Sequence, residues 1–136
     1  MTESNSAADA VQEQVRQALA DNAPLEIFAG RTKSFLGRTL SGAPLDLSRQ
    51  TGVVSYEPGE LVLVARPGTL LSELEALLDG EQQHFAFEPP GWGQAATIGG
   101  TVACNLSGPR RFKMGALRDH LLGIEMIDGH GERIRA

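Results

Sequence analysis

Between residues 88 and 115 the sequence carries neither a helical nor a strand period longer than a few residues, and any fold has to accommodate that stretch. It is a run of Gly, Pro, Ala, Ser, Thr and Asn, and nine of the chain's 16 glycines fall after residue 90. A loop of this length inside a compact domain is uncommon and is usually functional or disordered. Trp92, Ile98, Val102, Leu106 and Phe112 supply apolar anchors along it, which favours an ordered, functional loop. At 136 residues and 41% hydrophobic, the chain is the size of one domain and large enough to bury a core.

The segments around the loop are regular. Residues 1–5 are polar and expected to fray, and residues 6–20 predict a helix with Ala7, Val11, Val15, Ala18 and Leu19 on one stripe. Asp21-Asn22-Ala23-Pro24 stops it. Residues 25–29 and 45–47 read as short strands. Two runs of branched residues, 53–56 and 61–65, flank Glu57-Pro58-Gly59-Glu60 and predict a hairpin. Thr69 is the expected cap of a helix over 70–78, with Leu70, Leu71, Leu74, Leu77 and Leu78 on its buried face. A second hairpin is expected from 121–127 and 132–135 about Asp128-Gly129-His130-Gly131.

The charge pattern singles out two loops. The chain carries a net charge of −5, yet no Asp or Glu occurs over 27–45 or 89–118. Those stretches hold seven of the twelve basic residues: Arg31, Lys33, Arg38, Arg110, Arg111, Lys113 and Arg118. A backbone that wraps a phosphate needs several N–H groups aimed into one concavity, and glycine permits the dihedrals and the close approach. The loop of Ala29, Gly30, Arg31, Thr32, Lys33 and Ser34 suits that task. So does the longer segment holding Thr97, Ile98, Gly99, Gly100, Asn105 and Gly108. Neither matches GxxxxGK[ST] or GxGxxG, so a phosphorylated ligand would be held in another way. As ordinary turns the same loops need no ligand, and both readings stand on the residues alone.

Other functions have less support. Acidic charge argues against a nucleic-acid partner. No apolar run approaches a membrane span, and the first residues do not read as a secretory leader. His84, His120 and His130 lack ligand spacing, so no metal site is expected. The lone Cys104 excludes an internal disulfide and fits a reducing cytoplasm, and its small neighbours suit a buried side chain. Trp92, between two glycines, is either a ring-stacking residue or a core anchor. Arg118 and Asp119 are expected to pair beside the second loop.

Taken in order, residues 29–37, then Pro67 to Leu74, then Pro90-Gly91, Thr97-Ile98-Gly99-Gly100, Asn105, Gly108 and Arg110, and finally residues 115–123, form a series that resembles a known family. It is similar to the FAD-binding domain of the vanillyl-alcohol-oxidase and p-cresol-methylhydroxylase (PCMH) type. Within that superfamily the series looks most like the FAD-binding subunits of bacterial glycolate oxidases. The resemblance covers nearly everything after the first helix.

The resemblance implies an α+β fold of two small α+β subdomains with FAD between them. The first would hold the strands at 25–29 and 61–65 and the helix at 70–78, and the second would begin with the long loop and be incomplete here. A polar tail and helix over 1–22 would precede the FAD-binding domain over 23–136. Residues 29–34 would be the first pyrophosphate loop, and Pro90, Gly91, Thr97, Ile98, Gly99, Gly100, Asn105, Gly108 and Arg110 would also line the cofactor. The first loop lacks a His at a position where some relatives attach FAD covalently, so non-covalent FAD is implied. The implied reaction is oxidation of a small 2-hydroxyacid, glycolate to glyoxylate, with electrons passed to a second flavin subunit and an iron–sulfur subunit. Placement would be cytoplasmic, or peripheral at the inner membrane through those subunits. A D-lactate or other 2-hydroxyacid oxidase, or a non-catalytic assembly module with an incomplete FAD site, are the alternatives. Relatives run to several hundred residues, so the chain is expected to be partial and no catalytic base can be named in it. Gly99→Val or Gly100→Val is expected to abolish FAD retention while leaving secondary structure largely intact.

Overall fold

A computed structural model describes residues 2–39 and 41–136. The chain divides into two compact units, one of residues 1–27, 38–46 and 122–136, the other of residues 28–37 and 47–121.

In the first unit, α1 (Thr2–Ala20) ends where Asn22 turns left-handed at φ 51°. Ala23 N–H then reaches back to Ala18 C=O at 2.9 Å, closing the last turn. The helix starts earlier than the polar composition of its first residues suggests. Val15 is the buried residue of the expected stripe, whereas Leu19 is 53% exposed. Strand β1 (Leu25–Phe28), whose last residue falls in the other unit, pairs with β2 (Ala43–Asp46), and Leu45 is buried. Gln14 Nε2 donates to Pro44 C=O at 2.9 Å, and Arg133 pairs with Asp9, tying the helix to both sheets of the unit. The final hairpin pairs Glu125–Ile127 antiparallel with Arg133–Arg135. The Asp128 carboxylate accepts from Glu132 N–H at 2.8 Å and His130 N–H at 2.9 Å, which holds it below the usual Asp value.

In the second unit, β3 (Val53–Glu57) and β4 (Val62–Ala65) form the expected antiparallel hairpin, with a bulge between Val53 and Ser55. The connection is a 3-10 turn, Pro58–Glu60, that leaves Leu61 left-handed at φ 58°. Helix α2 (Leu71–Gly80) buries Leu71, Leu74 and Leu78. Thr69 does not cap it. Its hydroxyl is buried, accepts from Gly52 N–H at 2.9 Å and donates toward Arg66 C=O at 2.8 Å. That role ties the helix entry to the hairpin.

The long loop is not without helix. It contains α3 (Ile98–Ala103) and α4 (Arg111–Met114), followed by a 3-10 turn, Leu117–His120. It also packs in one unit with the hairpin and α2, while the strand at 25–28 lies almost wholly in the other unit, so the implied subdomain membership differs from the compact units observed. Thr69, Thr97 and Thr101 are buried alongside Ala96, Ala116 and Leu117, so the loop contributes directly to this core.

Candidate functional site

The two acid-free loops come together within the second unit. After β1 the chain turns left-handed at Arg31, φ 52°, whose guanidinium lies 3.5 Å from the Phe28 ring centroid. The turn closes on itself through Ser34 N–H to Arg31 C=O at 3.5 Å and Leu36 N–H to Lys33 C=O at 3.0 Å. At Gly30 any Cβ would overlap the carbonyl of Ala95, so only glycine allows this crossing. Thr32 Cγ2 lies beside Gly93, and the Phe35 ring meets Trp92 edge-on at 5.1 Å. Contacts 30 to 95, 32 to 93 and 35 to 92 show that the two segments run antiparallel past each other.

Lys33 reaches across this junction. A Cβ built on Gly100 would stand 3.8 Å from Lys33 Nζ and 3.2 Å from Thr97 Oγ1, so the bare face of Gly100 looks toward the ammonium. Lys33 Nζ is 3.4 Å from Thr32 Oγ1. Among the described residues no carboxylate lies within ion-pair distance of it. Burial lowers its pKa below the usual lysine value, and a Cys104 charge would oppose that shift. A half-buried ammonium with no carboxylate in ion-pair reach among the described residues carries an uncompensated positive charge.

The backbone of 96–99 is held from behind. Leu71 N–H donates to Ala96 C=O at 2.8 Å, Ile98 N–H to Thr69 C=O at 3.0 Å, and Gly99 N–H to Pro67 C=O at 2.9 Å. Thr97 caps α3, accepting from Gly100 N–H at 3.3 Å, and Thr101 Oγ1 donates back to Thr97 C=O at 2.9 Å. A Cβ on Gly99 would stand 2.5 Å from Pro67 Cβ and 2.8 Å from its carbonyl oxygen. Glycine there serves the packing of main chain on main chain.

The remaining expected residues separate by role. Pro90 and Gly91 lie in the turn leading to Trp92, and open space surrounds the Gly91 Cα. Ile98 is half-buried in the first turn of α3, while Ala29 and Ser34 flank the crossing. Asn105 is left-handed at φ 47°, and its side-chain oxygen accepts from Arg118 N–H at 3.1 Å. Gly108 packs on the Glu88 backbone, and Arg110 pairs with the Glu88 carboxylate at 2.7 Å. Arg110 lines an open groove of about 610 Å³ with Glu75, Asp79, His84 and Glu88, to which no residue of 29–34 or 96–100 contributes. Asn105, Gly108 and Arg110 thus make scaffold contacts, distinct from the Lys33 junction.

Sequence reasoning missed the Phe35–Trp92 contact, because 57 residues separate the two. It also placed Cys104 inside, whereas the thiol is exposed. The Arg118–Asp119 pair forms loosely at 3.8 Å, and Asp119 chiefly accepts from Ala116 N–H at 2.8 Å. Among the described residues no His, Cys, Asp and Glu cluster could hold a metal, and no helix is long and apolar enough to cross a membrane.

Residues 6–136 match the family described as FAD binding domain. Glycolate oxidase subunit GlcE of Escherichia coli strain K12 is 47% identical over 126 residues, covering 93% of this chain and 36% of that protein. D-lactate dehydrogenase of Anaerostipes hadrus is 29% identical over 94 residues, 69% of this chain and 19% of that protein. The crystal structure of aclacinomycin oxidoreductase is similar with a TM-score of 0.66 at 25% identity, covering 94% of this chain and 26% of that one. The chain spans about a third or less of the length of each of these relatives. With a match over nearly all its length and an α+β architecture shared with an oxidoreductase of solved structure, the chain belongs to the FAD binding domain family, and FAD is its cofactor.

Proposed function

We propose that the junction of residues 29–34 with residues 93–100 holds the pyrophosphate of non-covalently bound FAD, in a protein that oxidises glycolate to glyoxylate. The observation that carries the site is Lys33, half-buried, without a carboxylate partner among the described residues, and facing the bare Cα of Gly100. The residues fit the group. A pyrophosphate needs a cation without nearby carboxylates, and the acid-free loops supply it in Lys33. Lys33 would neutralise part of the phosphate charge, and Gly100 would leave room for an oxygen where any larger residue would crowd Thr97 and Lys33. Pro90, Gly91, Asn105, Gly108 and Arg110 act in this reading by shaping and bracing the second loop.

FAD, when bound, supplies the two-electron acceptor for a hydroxyl-to-carbonyl oxidation. Identity to GlcE exceeds that to D-lactate dehydrogenase, 47% against 29%, which favours glycolate as the 2-hydroxyacid. Electrons would leave through a second flavin subunit and an iron–sulfur subunit, in the cytoplasm or peripherally at the inner membrane.

The test is FAD titration of the chain followed by thermal unfolding, with FMN and ADP as controls. A ligand selective for the folded state stabilises it by about 2.7 kcal/mol at one hundred times Kd. The expected result is an FAD-dependent rise in Tm of several degrees. Lys33→Gln should weaken FAD by about tenfold, the lower end for a charge-assisted hydrogen bond at a partly exposed site. Equal FAD affinity for Lys33→Gln and the unaltered chain overturns the site. A substrate panel on the assembled complex tests the choice of glycolate.

A further inference from the structure

We infer that Phe35 and Trp92 form an aromatic clasp that positions the two loops for the dinucleotide, an inference that rests on the site proposed above. Neither ring is there to fill the core: Phe35 is 66% exposed and Trp92 40% exposed. They nevertheless meet edge-to-face at 5.1 Å with an interplanar angle of 64°, a favourable geometry for two aromatic rings.

The backbone around each ring explains why the contact matters. The Trp92 turn closes with hydrogen bonds that span only two residues, Trp92 N–H to Pro90 C=O at 3.2 Å and Gly93 N–H to Gly91 C=O at 3.1 Å. Gly91 and Gly93 flank it, with Gly93 left-handed at φ 81°, so this main chain has wide conformational freedom. On the other side, the 31–36 turn is hydrogen-bonded within itself through Ser34 and Leu36. The antiparallel crossing is fixed at one end by Gly30 against Ala95, and Phe35–Trp92 is the contact at the other end. Lys33 lies between the two ends. Removing the ring contact frees the 31–36 turn to swing about the Gly30 crossing, carrying the ammonium away from Gly100. The pair is therefore a positioning device: it sets the spacing of the anion receptor before the cofactor arrives, which lowers the ordering cost of binding.

The experiment is a double-mutant cycle on FAD affinity, with the full chain. Phe35→Leu, Trp92→Leu, the double variant and Trp92→Phe are each titrated with FAD by flavin fluorescence, and the Tm without FAD is recorded. Either leucine variant should weaken FAD by about three- to tenfold, the range of one aromatic pair. The double variant should be no weaker than the worse single one, and Trp92→Phe should bind within about twofold of the unaltered chain. Without FAD, Tm should stay within about 2 °C throughout, as for other exposed substitutions. Unchanged affinity in both leucine variants overturns the clasp alone. So do multiplicative losses in the double variant, or losses that track a falling Tm. Failure of the unaltered chain to bind FAD overturns the site reading and the clasp with it.

Discussion

Two adjacent glycines, Gly99 and Gly100, should respond oppositely to the same added methyl group. In Gly99→Ala the new Cβ would stand 2.5 Å from Pro67 Cβ, 2.8 Å from Pro67 O and 2.9 Å from Pro67 Cα. Backbone cannot yield as a flexible side-chain tip can, so residues 96–99 must move off residues 67–71. That displacement strains the Gly99 N–H to Pro67 C=O and Ile98 N–H to Thr69 C=O bonds, at 2.9 and 3.0 Å. Overpacking costs about 1–3 kcal/mol and a weakened hydrogen bond about 1 kcal/mol, against a helix-propensity gain of up to about 1 kcal/mol. The net loss is about 1–3 kcal/mol, a fall in Tm of roughly 3–12 °C for a chain of this size. In Gly100→Ala the neighbours are Thr97 Oγ1 at 3.2 Å and Lys33 Nζ at 3.8 Å, both side-chain atoms. Its Tm without FAD should stay level or rise, while FAD affinity falls because the methyl occupies the face turned to Lys33. Differential scanning fluorimetry with and without FAD reads both effects. A Gly99→Ala variant as stable as the unaltered chain would refute the packing argument. The sequence expectation concerned valine at either position, with FAD lost and secondary structure largely intact; the structure adds that bulk at Gly99 meets the Pro67 backbone whereas bulk at Gly100 meets side-chain atoms.

Two further perturbations follow from the same geometry. Because burial lowers the Lys33 pKa, the ammonium in the free protein is lost before the usual 10.5, so FAD affinity should begin to fall below that pH as pH rises. Lys33→Arg, which stays charged, should flatten that limb of the binding curve, and an unchanged limb would remove Lys33 from the site. Thr97→Val removes the side-chain cap of α3 and should cost about 1 kcal/mol, read as a lower urea midpoint at constant m-value.

The hairpin at 53–65 was legible because branched residues and a Pro-Gly turn agree with each other locally, and α2 because its leucines repeat at helical spacing. Helix α3 was not, since Gly99 and Gly100 are poor helix formers and six residues give no period. Its helicity comes from the Thr97 cap and from hydrogen bonds to 67–71, which are tertiary. Thr69 looked like a cap by position, but its hydroxyl found stronger use between Gly52 and Arg66. At the candidate site, the absence of acids singled out two loops that the fold brings together. Which residues face each other could not be read, because Gly30 and Ala95 are 65 positions apart and meet only through the fold. The glycines had two different causes that composition cannot separate: close main-chain packing at Gly30, Gly99 and Gly108, and open space beside Lys33 at Gly100.

The crossing of Gly30 over Ala95 also bears on the order of assembly. The β3–β4 hairpin and α2 form from neighbours in sequence, whereas the crossing must close a chain segment of 65 residues. The entropy of closing a loop grows with the logarithm of its length, and that cost is met only once the surfaces on either side exist. The junction of the two loops is accordingly a late product of folding: a chain could regain much of its secondary structure and its first tertiary contacts while the proposed dinucleotide site is still unformed. Recovery of cofactor binding during refolding should lag behind recovery of the far-ultraviolet circular dichroism signal, and the lag measures how long the two loops take to find each other.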